Sequence, residues 1–399
     1  VDVVLRHEHD SAAPVGERAV ASRPLFERYP KLAARVRLAR LAELPTPIER
    51  LVTLERALGS GGELFAKRDD RTSPIYGGNK VRTLEVLFGD ALAREATHVY
   101  ATGACGSNHA TATALHAPRI GLVPGAVVYP QPESRSAAEN LRVLLDRAGA
   151  HLRALPHWSA LPYGIVSERR RAASRGERAV IMMPGGAIPL GALGYVSAGL
   201  ELAEQIESGC LPRPARIVVA IGSNCTSAGL LVGFALATRV GLGFRAGSRP
   251  RPPTLVAVRV TPWPVTSRLR VLHLAHATAR LVAELAGEPR FAFERRELSA
   301  LLELDGTQLG PGYGHGTDAG REAAALFAEH AGLPLELTYS GKSAAATLAR
   351  LRARAAGPTL YWATKSSAPL PEVENDALAR APAGVQRWLA RALRAEPVS

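Results

Sequence analysis

Short apolar runs alternate along this chain with longer stretches of helical spacing, and that alternation narrows the fold more than any other feature. THVYAT (97–102), GAVVYP (125–130), AVIMMP (179–184), RIVVAIG (216–222) and TLVAVRV (254–260) read as strands. KVRTLEVLFGDALAREA (80–96), residues 108–117, SAAENLRVLLDRAGA (136–150), ALGYVSAGLELAEQIE (192–207) and SAGLLVGFALA (227–237) read as helices. Strands that return through helices of roughly 10–15 residues predict parallel α/β sheets. The chain has 399 residues, enough for two such domains. Ligands in these folds sit where a strand ends and a turn enters a helix, so those loops are where chemistry is sought.

Other classes are set aside on residue patterns. Residues 181–200 and 217–238 are uncharged and long enough to raise the question of a membrane span. Pro184, Gly185, Gly186 and Pro189 interrupt the first, and Gly222-Ser223-Asn224 the second, so each reads as strand, turn and helix. The formal net charge of +13 raises the question of nucleic acid. The arginines are scattered, as at Arg350, Arg352 and Arg354, and the densest run is Arg169 to Arg171. A solvated arginine-biased surface is expected, with no nucleic-acid partner. The three cysteines, Cys105, Cys210 and Cys225, have no metal-ligand spacing, and VDVVLRHEHD has charges where a signal peptide needs an apolar core. A reduced, cytoplasmic setting is the expectation. His7, Glu8 and His9 are of metal-ligating type, but they read as part of a polar lead-in (1–43), and no metal is expected. ELPTPIERL (43–51) reads as an extended entry segment and RAGSRPRPP (245–253) as a surface loop.

Lysine is scarce. There are five, Lys31, Lys67, Lys80, Lys342 and Lys365, and arginine cannot replace a lysine where a neutral amine is needed. In YGGNK (76–80), two glycines and an asparagine deliver Lys80 to a helix start. The helix terminus and neighbouring Arg82 would both ease loss of its proton, which suits a Schiff-base lysine. The same residues also serve as a plain turn with a surface lysine. TGACGSNHATATAL (102–115) offers backbone N–H groups and small polar side chains to a carboxylate, or simple capping by Ser107 or Asn108. IGSNCTSAG (221–229) makes a phosphate cradle from turn N–H groups and the hydroxyls of Ser223, Thr226 and Ser227. SGKS (340–343) fails as a P-loop because Glu336 stands where a glycine is required. Tyr313 in GPGYGHGT (310–317) and Tyr339 in TYSGKS (338–343) could supply an acid–base hydroxyl or anchor loops.

Taken in order, LPTPIERL, KRDD (67–70), YGGNKVRTLE, GSNHATATA, PGGAIPLGALGYVSAGLEL (184–202), the 221–229 loop, GPGYGHGT and TYSGKS resemble the 1-aminocyclopropane-1-carboxylate deaminase / D-cysteine desulfhydrase family. These are pyridoxal 5′-phosphate enzymes of fold type II. The resemblance covers roughly residues 43–368. It implies two α/β domains with the cofactor in the cleft: a large one of residues 44–81 plus 194–399, and a small one of 82–193. It makes Lys80 the Schiff-base lysine and places Asn79 at the cofactor phenolic oxygen. Ser223, Asn224, Cys225, Thr226, Ser227, Ala228 and Gly229 would hold the phosphate. Ser107, Asn108 and His109 would bind the substrate carboxylate, with Ser107, Tyr313 and Tyr339 catalytic. Thr364 and Ser340 would lie near the pyridine nitrogen. A homodimer acting on a small amino acid is the family expectation.

The departures matter. Asn224 and Cys225 stand where the family usually has two glycines, and Thr111 where it has arginine. ATKSS (363–367) replaces the usual HTGG and puts Lys365 near the cofactor. Ring-opening members carry a glutamate where this chain has Ser340. A hydroxyl there leaves the pyridine nitrogen largely neutral, which favours α,β-elimination from a substrate such as D-cysteine over cyclopropane opening. A tailoring enzyme of specialised metabolism, a ring-opening deaminase and a non-catalytic amino-acid-binding protein remain as alternatives.

Overall fold

A computed structural model of the chain describes residues 22–59, 61–246, 249–373, 378–379 and 381–394. His7, Glu8 and His9 lie outside them. The strands are β1 (Ile48–Arg50), β2 (Leu64–Lys67), β3 (His98–Ala104), β4 (Val123–Tyr129), β5 (Leu152–Ala154) and β6 (Ala179–Ile181). They continue with β7 (Arg216–Ile221), β8 (Arg245–Ala246), β9 (Arg249–Pro250), β10 (Thr254–Arg259), β11 (Leu302–Asp305) and β12 (Thr359–Trp362). A six-stranded sheet has the order β1-β2-β12-β7-β10-β11, and a four-stranded sheet the order β5-β4-β3-β6. The smaller sheet is parallel throughout. The larger is parallel except for β1 against β2. The two-sheet α/β architecture is the one the alternation predicts. One local reading changes: RAGSRPRPP holds a small hairpin, β8 against β9, rather than a plain loop. Strands of two residues are too short to leave a periodic pattern.

The uncharged stretches are explained by where they pack. Helices Pro189–Glu207 and Cys225–Arg239 lie in the main core with β7 and β10, so polar faces are scarce on both. They approach closely where Gly199 meets Gly233: a Cβ on Gly199 would lie 2.9 Å from the Gly233 Cα. A second core joins the smaller sheet to helices Asn79–Ala93, Asn108–His116 and Arg135–Ala148. Trp388, Leu389 and Ala392 of the last described helix, Ala383–Arg394, belong to this core, although the 194–399 stretch was expected with the larger sheet. A third core lies between β2, β12 and helices Asp318–Ala331 and Ser340–Arg352.

The KRDD segment ties the larger sheet to the start of the Asn79–Ala93 helix. Lys67 Nζ donates to Glu201 (2.5 Å), Gln205 (2.7 Å) and the Thr46 carbonyl (2.7 Å), all buried. Arg82 donates to both Asp69 and Glu201. Asp69 also accepts from Tyr195 (2.7 Å) and Trp362 (2.8 Å). Each buried charge thus meets an opposite charge and further donors, the condition under which burial of ions is tolerated.

Candidate active site

A cavity of about 450 Å³ is lined from both sheets by the loops that follow β3, β4, β7, β10 and β12. These are the C-terminal ends of parallel strands, where an α/β fold leaves backbone groups unpaired.

Lys80 enters through the Gly78 turn. Gly78 has φ 90°, and a Cβ there would lie 2.6 Å from the Thr364 carbonyl, so glycine is required. Asn79 N donates to that same carbonyl at 2.9 Å, which joins the helix start to the loop after β12. The Lys80 amine lines the cavity, and its described polar contact is the Gly185 carbonyl at 3.5 Å. Burial pushes the amine below a lysine's ordinary value, while Cys225 opposes the shift. The expected help from Arg82 is corrected: that guanidinium is held by Asp69 and Glu201, and desolvation lowers Lys80 instead.

Across the cavity the Cys225–Arg239 helix presents its N-terminus. Ser223, Asn224, Cys225, Thr226 and Ser227 line the wall. Ala228 and Gly229 do not; a Cβ on Gly229 would meet Ala192 and Tyr195, so these two serve helix packing. Asn224 adopts φ 73°, a left-handed conformation that asparagine tolerates better than most residues, which lets it stand in a glycine-type position. Its amide donates to the Val265 carbonyl at 3.1 Å. Asn79 Nδ2 donates to Thr226 Oγ1 at 3.0 Å. Cys225 is buried, with its thiol on the Gly186 carbonyl, and burial raises its pKa, so it fills space as a small side chain.

The loop after β3 leads into the Asn108–His116 helix. Ser107 caps it by accepting from Ala110 N at 3.4 Å, and Asn108 and His109 follow on the cavity wall. Burial, with a smaller push from Lys80, lowers His109 to about 3, so its ring is neutral. Thr111 is buried and donates to the Ser107 carbonyl, which keeps a neutral residue where arginine was the family expectation.

Tyr339 donates to the Tyr313 hydroxyl at 2.9 Å, and both line the cavity. Burial raises both hydroxyls above a tyrosine's ordinary value. The Tyr313 loop is anchored by Lys342, which donates to the carbonyls of Leu309 and Gly312 at 2.8 Å each. Lys342 lies buried inside the Ser340–Arg352 helix, and its contacts hold the Tyr313 loop. Ser340 is buried but is not among the cavity-lining residues; Thr364 and Lys365 are.

Several lining residues were not singled out by the sequence. Gly185 meets Lys80, and Trp158, Trp263 and Arg270 stand at the cavity's exposed side. Behind the wall, Tyr76 and Asn140, which do not line the cavity, form a network with Asn108. Exposed tryptophans flanked by prolines, as in TPWP (261–264), were the legible signal. A cluster of His98, His151 and Glu177 has ligand-type atoms within 4.8 Å of one another, but Arg175 and Tyr100 already occupy the Glu177 carboxylate.

Buried polar atoms at the wall test what the cavity is built to hold. Asn224 Oδ1, Ser227 Oγ and both ring nitrogens of His109 have no hydrogen-bond partner among the described residues. Unpaired buried polar groups are costly unless a ligand completes them. A helix N-terminus with hydroxyls suits a phosphate, and a buried amine with lowered pKa suits an aldehyde. Pyridoxal 5′-phosphate carries both groups, and the residues fit it.

Comparison with known proteins agrees. A family model described as "Pyridoxal-phosphate dependent enzyme" matches residues 39–361. A D-cysteine desulfhydrase of Salmonella paratyphi B is 32% identical over 343 residues, covering 84% of this chain and 93% of that protein. A nocardicin C-9′ epimerase of Nocardia uniformis subsp. tsuyamanensis is 43% identical over 187 residues, which is 46% of this chain and 55% of that protein. The crystal structure of an ACC deaminase homologue superposes with a TM-score of 0.67 at 27% identity, covering 89% of this chain and 98% of that one. The cavity's chemistry and these matches lead to one conclusion: the chain belongs to the pyridoxal-phosphate dependent enzyme family, in its ACC deaminase / D-cysteine desulfhydrase group.

Proposed function

We propose that this enzyme removes the α-proton of an amino acid and expels a β-substituent, giving a keto acid and ammonia, with D-cysteine or a close β-substituted relative as substrate. The observation that carries the reading is the pairing of Lys80 with the Tyr339–Tyr313 hydrogen bond on one cavity. When bound, pyridoxal 5′-phosphate supplies an electron sink for charge at the substrate α-carbon. Lys80 would hold its aldehyde carbon, the 223–227 loop its phosphate, and Asn79 would orient the ring from the helix start. Once displaced, the Lys80 amine is the base, and its lowered pKa leaves it neutral at lower pH than a free lysine. Tyr339 donates its hydrogen bond to the Tyr313 oxygen, which leaves the Tyr313 O–H free to point at a departing thiolate. Because burial raises that hydroxyl, it stabilises the leaving sulfur by hydrogen bonding rather than by full transfer.

A second reading has its own observation. Trp158 and Trp263, 59% and 75% exposed, and Arg270 stand along the same cavity, a rim wider than a small amino acid needs. Indole faces favour an amino acid carried on a larger unsaturated substrate, on which proton removal and return at one carbon would invert it. Two assays on the purified holoenzyme separate the readings. Pyruvate and ammonia from D-cysteine or β-chloro-D-alanine support elimination. Solvent deuterium entering the α-carbon of amino acids without release of ammonia supports inversion instead. Neither outcome with any amino acid would contradict both.

A further inference from the structure

Lys365 replaces a residue of the family's HTGG loop, and the structure shows what it touches. Its Nζ donates to the Tyr76 hydroxyl at 2.8 Å and to Asn108 Oδ1 at 3.1 Å, and lies 4.9 Å from the Tyr76 ring centroid. Asn108 Oδ1 also accepts from Tyr76 Oη (2.9 Å) and from Asn140 Nδ2 (2.8 Å). Asn140 Nδ2 in turn donates to the Gly106 carbonyl at 2.9 Å.

Two consequences follow. Three donors converge on a single amide oxygen, which fixes the Asn108 rotamer and its orientation and leaves the NH₂ on the other arm of the same planar amide without a hydrogen-bond partner among the described residues, on a side chain that lines the cavity. The ammonium itself has three protons, of which Tyr76 and Asn108 take two. No carboxylate among the described residues lies within ion-pair distance of Lys365, although the cavity wall it shares with Ser107 and His109 is partly desolvated. A fixed cation without a counter-ion, beside the N-terminus of the Asn108–His116 helix, is built for an anion.

We propose that Lys365 supplies the charged half of the substrate-carboxylate site, pairing with the α-carboxylate while orienting the Asn108 amide to donate to the same group. This rests on the assignment of the cavity as a pyridoxal 5′-phosphate site.

The test compares alanine with alaninamide, both enantiomers, as non-eliminating probes of the holoenzyme, with Kd read by calorimetry. The wild type is expected to prefer the acid over the amide by at least about tenfold, the scale of one charge-assisted hydrogen bond. Lys365→Met should remove that preference by weakening the acid alone, and Lys365→Arg should restore part of it. Lys365→Gln, which keeps a donor to Asn108 without the charge, should behave as Lys365→Met does if the charge is what matters. An unchanged preference in Lys365→Met or Lys365→Gln, or no preference in the wild type, overturns the proposal. A wild-type protein with no visible cofactor band would sink the reading of the site instead; a normal band with an unchanged preference sinks the role of Lys365 alone. Equal weakening of acid and amide would mark Lys365 as merely structural.

Discussion

At the scale of single residues, the site is a contest between two amines and two phenols, each set by its surroundings. Lys80 is buried beside a thiol and a carbonyl, so desolvation dominates and its charged form is disfavoured. Its folded pKa lies below the usual value of about 10.4. In protein stripped of cofactor, the rate of recombination with pyridoxal 5′-phosphate should therefore rise with pH and level off below that value; a rise that begins only above it would contradict the assignment. Tyr313 is predicted to matter most for poor leaving groups. Tyr313→Phe should lower turnover of D-cysteine by about a hundredfold, the scale of losing one hydrogen-bond donor to developing negative charge, yet affect β-chloro-D-alanine much less, because chloride needs little help to depart. Equal losses on both would remove Tyr313 from the leaving-group step. Lys80, Ser107, Asn108, His109, Tyr313 and Tyr339 could be singled out in the sequence because turn glycines, small polar runs and loop aromatics mark strand ends, whereas Thr364 came from the family resemblance alone; all of them line the cavity. Arg82 was misread for a physical reason. Charges close in sequence to a site can be paired elsewhere in the core, and a linear reading does not show the partner.

Among the elements, helix starts do most of the positioning. The Asn79–Ala93 helix begins on a positive-φ glycine against the loop after β12, and the Cys225–Arg239 helix begins on a left-handed asparagine. Gly78→Ala should cost more than about 1 kcal/mol of stability, through both strain and collision with the Thr364 carbonyl, as read from chemical denaturation. A wild-type midpoint in that variant would show that the turn can relax. The sequence left the helices Leu161–Ser174, Arg268–Ala286, Asp318–Ala331 and Ser340–Arg352 unread, although five helices and five strands were readable by their periods. The β8–β9 hairpin was not, and neither was the packing of the Ala383–Arg394 helix against the smaller core. Amphipathic helices announce that they pack, but not on which sheet.

For the whole molecule, the buried Lys67–Glu201–Arg82–Asp69 network connects β2, the Pro189–Glu207 helix and the Lys80 helix. Lys67→Met leaves Glu201 short of one counter-charge in a dry core, and a loss of about 3–5 kcal/mol is expected. The double variant Lys67→Met/Glu201→Gln should be less unstable than the two single losses summed; strict additivity would mean that the groups do not interact. That network could not be assembled from sequence, because its members lie as far apart as residues 67 and 201. The central claim is that one of five lysines carries the cofactor. Borohydride reduction of the holoenzyme, followed by peptide mass mapping, fixes the cofactor to whichever lysine holds it. The account predicts the added mass on Lys80. Mass on Lys365, or on no lysine, would contradict it.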